Sequence, residues 1–172
     1  MDMPLSQQTI QDYKTILTEE LLVAMGCTEP ISIAYATARA RAVLNEKPIS
    51  AKVEVSGNII KNAKSVTVPH TGGMRGIKSA FAAGLIAGDA GKELEVISKV
   101  SDMQIEEIKR VRDNFDVEVI TPENARIFDI GVTLHSEKHV AYVRIADAHT
   151  NIVCIKLDGQ TLYENLPKEM ER

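Results

Sequence analysis

The stretch RIFDIGVTLHSEKHVAYVRIADAHTNIVCIKLDG, residues 126–159, decides the fold class. Phe128, Ile130, Val132 and Leu134 recur at every second position, and apolar residues continue from Val140 to Ile145 and from Ile152 to Leu157. A period of two puts one set of side chains on one face of a strand. Asp158-Gly159 is a tight hairpin signal, because both residues tolerate positive φ. The stretch therefore predicts a closing antiparallel meander. Immediately upstream, Val117 and Val119 mark a short strand, and Ser101-Asp102-Met103-Gln104 matches a capping box that opens a helix to about Asn114. Ile105, Ile108 and Val111 form the apolar side of that helix.

Further upstream, residues 92–99 read as helix. Ala51, Val53 and Val55 alternate with Lys52 and Glu54, which predicts a half-buried strand over 50–56 that ends in the turn Ser56-Gly57-Asn58. A short turn or helix over Ile59 to Ala63, a brief strand over Val66 to Val68, and a buried Ala-rich helix over Met74 to Ala87 follow. Helical spacing over 7–25 and over 29–44 predicts two N-terminal helices. The class is α+β: N-terminal helices plus a mainly antiparallel sheet with a C-terminal β-meander. Residues 1–166 read as a single domain and 167–172 as a polar tail or linker.

The chain has 172 residues, enough to bury a core, with 44% hydrophobic and 26% charged residues. Its net charge of -4 makes no electrostatic case for nucleic acid. No apolar run approaches membrane-spanning length and the first residues lack a signal pattern, so a cytoplasmic protein is expected. With two cysteines, Cys27 and Cys154, there is no disulfide framework.

Candidate chemistry concentrates in three places. Gly26-Cys27-Thr28-Glu29-Pro30 reads as a joint between two helices, with Cys27 at the start of the second, where free N–H groups and the helix dipole favour a thiolate. A small buried cysteine in a helix turn is the plain alternative. Ser56, Asn58 and Asn62 place short polar side chains at a strand end, suited to reading an amine or carboxylate or simply to capping turns. Pro69-His70-Thr71-Gly72-Gly73 precedes a helix. Thr71, Gly72 and Gly73 could offer backbone N–H groups to an anion and Arg75 a bidentate clamp. A turn that needs glycine beside a surface arginine is the more frequent use of such a pattern. His70 has no evident carboxylate partner, His149-Thr150-Asn151 opens a strand, and Cys154 falls among core positions of the meander.

Taken in order, GCTEPISIAYATARARAV, SGNIIKNAKSVTVPHTGGMRGI, AGKELEVISKVSD and AHTNIV resemble the L-cysteine desulfidase family, related to the alpha chain of the iron–sulfur L-serine dehydratases. The resemblance implies a lyase of amino-acid catabolism that eliminates sulfide from L-cysteine, or water from L-serine, to give pyruvate and ammonia. It implies an oxygen-sensitive [4Fe-4S] cluster with one open iron acting as Lewis acid. Cys27 matches the family's N-terminal cluster cysteine. Thr28, Glu29, Ser56, Asn58, Asn62, Thr71, Gly72, Gly73 and Arg75 match positions expected near a small amino-acid substrate. His70 stands where many members carry a small residue. Members are much longer, and their other cluster cysteines lie in the C-terminal half; Cys154 matches none of them. This implies an N-terminal part that is inactive alone and needs a C-terminal domain or a second subunit, with a homo-oligomer left open. Two further readings stand beside it. One is a thiol hydrolase with Cys27 as nucleophile and His70 as base. The other is a non-catalytic small-molecule-binding or subunit-interaction domain.

Overall fold

Strands β1 (Ser50–Val55), β2 (Asp116–Ile120), β3 (Asp129–His135), β4 (Val140–Ala146), β5 (Ile152–Leu157) and β6 (Gln160–Glu164) form one sheet in the order β2-β1-β3-β4-β5-β6. The computed structural model describes residues 29–166. The helix expected over 7–25, Cys27, Thr28 and the tail 167–172 lie outside the described residues.

The register explains the alternation read from the sequence. Val53, Val132, Val143 and Ile155 stand side by side across four strands, flanked by the rows Ala51–Leu134–Ala141–Leu157 and Val55–Ile130–Ile145–Ile152. From β1 to β4 these residues are buried. Each valine, leucine or isoleucine among them contributes about 1.5–3 kcal/mol on removal from water. The opposite face carries Lys52, Thr133, Tyr142 and Lys156 in one row. β1 pairs with β2 in parallel and with β3 antiparallel. The meander β3 to β6 is antiparallel throughout and turns at Asp158 and Gly159, whose φ values are 52° and 81°. The class is thus α+β, as expected.

A parallel β1–β2 pair requires a crossover. It contains α2 (Gly57–Ala63), α3 (Ile77–Ala87), a 3-10 segment (Ala90–Glu95) and α4 (Asp102–Asn114). The Ser101–Gln104 capping box forms with both of its bonds. Residues 29–44 are helical, here α1, and end at Asn45, which takes φ 51° while its N–H donates to the Arg41 carbonyl. Asparagine tolerates that left-handed position just past a helix end.

The central packing contact is α1 against α3. Ile33, Ala34, Ala36 and Ala40 are fully buried. A methyl group on Gly84 would overlap the Ala34 backbone, and one on Gly88 would lie 2.6 Å from Ala38 Cβ. Small residues at i and i+4 on both helices bring the backbones together. Arg41 reinforces the crossing by donating to the Leu85 carbonyl at 2.7 Å.

Four local expectations are corrected. Gly57 and Asn58 lie in α2 rather than in a turn, with Ser56 as the N-cap. Val66 to Val68 is no strand; an isolated bridge between Thr67 and Arg75 closes a loop instead. α3 starts at Ile77, not Met74, because Gly76 takes φ 94°, outside the helical region. Over 92–99 there is no regular helix. The 3-10 segment is broken at Glu93, whose φ is 50°.

Candidate functional site

The sequence-derived site residues that are described fall into two groups. The first joins α1 to α2. Asn62 Nδ2 donates to Glu29 Oε1 at 3.2 Å. Glu29 is half-buried, and its other oxygen, Oε2, is buried with no hydrogen-bond partner. Burial pushes the Glu29 carboxyl above its ordinary 4.5, while the Asn62 amide pulls the other way. A carboxylate oxygen taken out of water without a donor is costly, and a cation or N–H group delivered to it recovers that cost. Asn58 sits exposed on α2. Ser56 does not point its hydroxyl at a ligand. It is buried, and its Oγ donates to the Ile127 carbonyl at 2.9 Å while its N–H donates to the Asp129 carbonyl.

The second group is the loop from Pro69 to Gly73. It is pinched shut by the Val68 N–H donating to the Met74 carbonyl at 2.8 Å and by the Thr67–Arg75 bridge. Thr71 is buried, and its hydroxyl donates to the Val68 carbonyl at 2.7 Å, so it braces the loop from within. Gly72 and Gly73 are exposed at φ 74° and 96°, and His70 takes φ 61°. Only glycine adopts the two former conformations without strain. The Arg75 side chain is exposed; its carbonyl accepts from Ser79 Oγ at 2.7 Å. The loop tip is therefore open to solvent rather than buried beneath α3.

Cys154 is buried in β5 beside Arg144 of β4, as the alternating pattern implies. Burial pushes its thiol above the ordinary 9.0, which disfavours the thiolate a metal would need. Among the described residues, no group of three or more His, Cys, Asp and Glu side chains is placed to hold a metal ion. Cys27, the cluster cysteine that the resemblance implies, lies outside the described residues.

Two features escaped the sequence reading. Asp129 and Arg144 form a buried bidentate pair, Nε to Oδ1 at 2.9 Å and Nη2 to Oδ2 at 2.7 Å. Asp129 also accepts from the Arg126 N–H at 3.0 Å. The signal was there in Asp129 standing inside an apolar strand, two residues from Gly131, which faces Arg144 in the register. The other feature is Arg39 on α1, whose Nε is buried and unpartnered. Arg39 sits amid alanines and one tyrosine on a helix that otherwise reads as core. Among the described residues no helix is long and apolar enough to cross a membrane.

Comparison with known proteins places this chain beside a set of bacterial relatives. A UPF0597 protein of Desulfitobacterium hafniense is 48% identical over 153 residues, covering 89% of this chain and 36% of the relative. UPF0597 proteins of Finegoldia magna and Treponema denticola are 43% and 36% identical, covering 90% and 94% of this chain and 37% and 38% of their own lengths. The chain thus spans little more than a third of the curated relatives it matches. No family model matches, and no solved structure matches. These findings correct the kinship expected from the motifs: the relatives carry the name UPF0597 protein, and neither L-cysteine desulfidase nor L-serine dehydratase alpha chain. With that correction, the lyase and [4Fe-4S] attributes no longer rest on the resemblance. The chain is thus similar to part of the length of UPF0597 proteins, and its described residues carry a half-satisfied carboxylate between α1 and α2 and an open glycine loop before α3.

Proposed function

We propose that this stretch of chain is a small-molecule-binding unit of a longer protein, and that Glu29 and Asn62 receive the ammonium group of a small amino acid. One observation carries the reading: Glu29 Oε2 is buried without a donor while Oε1 is held in place by Asn62. A carboxylate so positioned is preorganised, because its orientation is fixed before a ligand arrives. The exposed Gly72–Gly73 tip and Arg75 are the remaining sequence-derived candidates for the ligand's carboxylate.

Calorimetric titration of the 172-residue chain tests it with L-serine, with ethanolamine, which lacks the carboxylate, and with 3-hydroxypropionate, which lacks the amine. Loss of a charge-assisted contact is worth about 1.5–3 kcal/mol, or about tenfold to a hundredfold in affinity. Glu29→Gln should weaken L-serine binding by that factor, and 3-hydroxypropionate should bind no better than it does to the variant. Equal binding of L-serine and 3-hydroxypropionate to the native chain would remove Glu29 from the role.

A further inference from the structure

A polar cavity lies farther along α1 than Glu29. It is about 310 Å³ in volume and is lined by Tyr35 and Arg39 of α1, Thr150 and Asn151 of the β4–β5 connection, Ile152 and Ile155 of β5, and Tyr163 of β6. Arg39 lies ten residues after Glu29, about 15 Å along the helix axis at 1.5 Å per residue. One small ligand cannot span both, so the cavity is independent of the Glu29 reading.

Its chemistry is one-sided. Among the described residues Arg39 forms no ion pair, and its Nε is buried without a hydrogen-bond partner. A guanidinium carries N–H donors in a fixed fork that matches a carboxylate. Tyr35 is only 4% exposed, and burial holds its phenol above the ordinary 10.0, so it stays a neutral O–H donor. Thr150 adds a hydroxyl at the rim. The Asn151 amide is already committed, donating to the Ala146 carbonyl at 3.0 Å, and so fixes the rim rather than a ligand. Ile152 and Ile155 supply an apolar wall. The carboxylate felt by Tyr35 is Glu93, the residue at which the 3-10 segment breaks, and it makes no ion pair with Arg39. The volume is at the lower end for small-molecule sites.

We infer that this cavity binds a small organic carboxylate, with the carboxylate on Arg39 and Tyr35 and a short apolar stem against Ile152 and Ile155. The fork geometry favours a planar two-oxygen anion, and the isoleucine wall favours a hydrocarbon tail over a bare inorganic ion.

The test is an NMR titration of the 172-residue chain with isovalerate, its uncharged isostere isovaleramide and inorganic phosphate, followed on the tyrosine ring signals. Isovalerate should bind saturably and shift the Tyr35 and Tyr163 rings, with isovaleramide and phosphate each at least about tenfold weaker. Arg39→Met should abolish the isovalerate response, and Arg39→Lys should keep part of it. Should Arg39→Met prove unfolded by circular dichroism, Tyr35→Phe, which removes only the second donor to the carboxylate, serves instead, and a several-fold loss is expected. Glu29→Gln should leave isovalerate binding unchanged, which separates this site from the one between α1 and α2. Equal binding of isovalerate and isovaleramide, phosphate binding as tight as isovalerate, or no saturable response from the native chain would each overturn the assignment.

Discussion

Replacing Asp129 with alanine is expected to remove a large share of the stability of this fold. Asp129 is 2% exposed and Arg144 4%. The aspartate accepts two bonds from Arg144, at 2.9 and 2.7 Å, and one from the Arg126 backbone at 3.0 Å. Its own carbonyl anchors the Ser56 N–H at the exit of β1. Without Asp129 the guanidinium is stranded in a site that water reaches poorly. Breaking one side of a buried pair costs about 3–5 kcal/mol, against a total of about 5–15 kcal/mol for a domain. Arg144→Met should cost less, because the carboxylate keeps the Arg126 N–H. The double variant Asp129→Leu/Arg144→Met should cost less than the sum of the singles, since it leaves no uncompensated charge. Urea denaturation followed by circular dichroism measures all three. Single losses below about 1 kcal/mol, or strictly additive ones, would refute the reasoning and reduce the pair to a bystander.

Gly84→Ala should destabilise by about 1–3 kcal/mol, because the added methyl meets the Ala34 backbone, which cannot rotate away; thermal melting detects it. Affinity for L-serine should fall as pH drops through the raised pKa of Glu29, above the ordinary 4.5, and calorimetry in Glu29→Gln should lose that dependence. His139 is held above its ordinary 6.5 chiefly by its hydrogen bond to Asp158, 2.6 Å from Nδ1, so its stabilisation is full below 6.5 and lost as pH rises through its folded value; burial instead depresses His149, so stability is lost as pH falls below 6.5. Melting temperatures across about pH 5 to 8 should therefore lose the alkaline decline in His139→Gln and the acid decline over that range in His149→Gln.

The fold was legible wherever a short-range pattern had one structural solution. Period two in β3 and β4 is satisfied by a sheet with one face on the helices, and Ile130, Val132, Leu134, Ala141, Val143 and Ile145 are all fully buried there. The Ser101–Gln104 box and the Asp158-Gly159 turn carry their own hydrogen-bonding or φ preference, so they survive any tertiary context. Expectations failed where long-range pairing decided the outcome. Val66 to Val68 has strand propensity, yet Val68 pairs back onto Met74 of its own loop and finds no strand to join. The start of α3 was misplaced because Gly76 looks tolerable in a helix until its φ of 94° is known. Propensity is a statement about one residue, and these positions were settled by their neighbours.

The candidate site was less legible for a related reason. Short polar side chains near turns serve caps and ligands alike, and only their partners separate the two uses. Ser56 and Thr71 spend their hydroxyls on the Ile127 and Val68 carbonyls, which makes them braces. In sequence Glu29 stands beside them only as one more polar residue near a joint. Its distinction is an oxygen that is buried and still unpartnered, a property no spacing rule encodes. Arg39 makes the same point from the other sign. In a run of alanines it reads as a solvated helix arginine, but the β4–β5 connection and β6, more than a hundred residues later, wall it in and leave its Nε without an acceptor. Glu29 Oε2 and Arg39 Nε, of opposite charge, stand on one helix about 15 Å apart along its axis, a separation fixed by the helical rise itself and too long for an ion pair, so neither atom can be satisfied by the other.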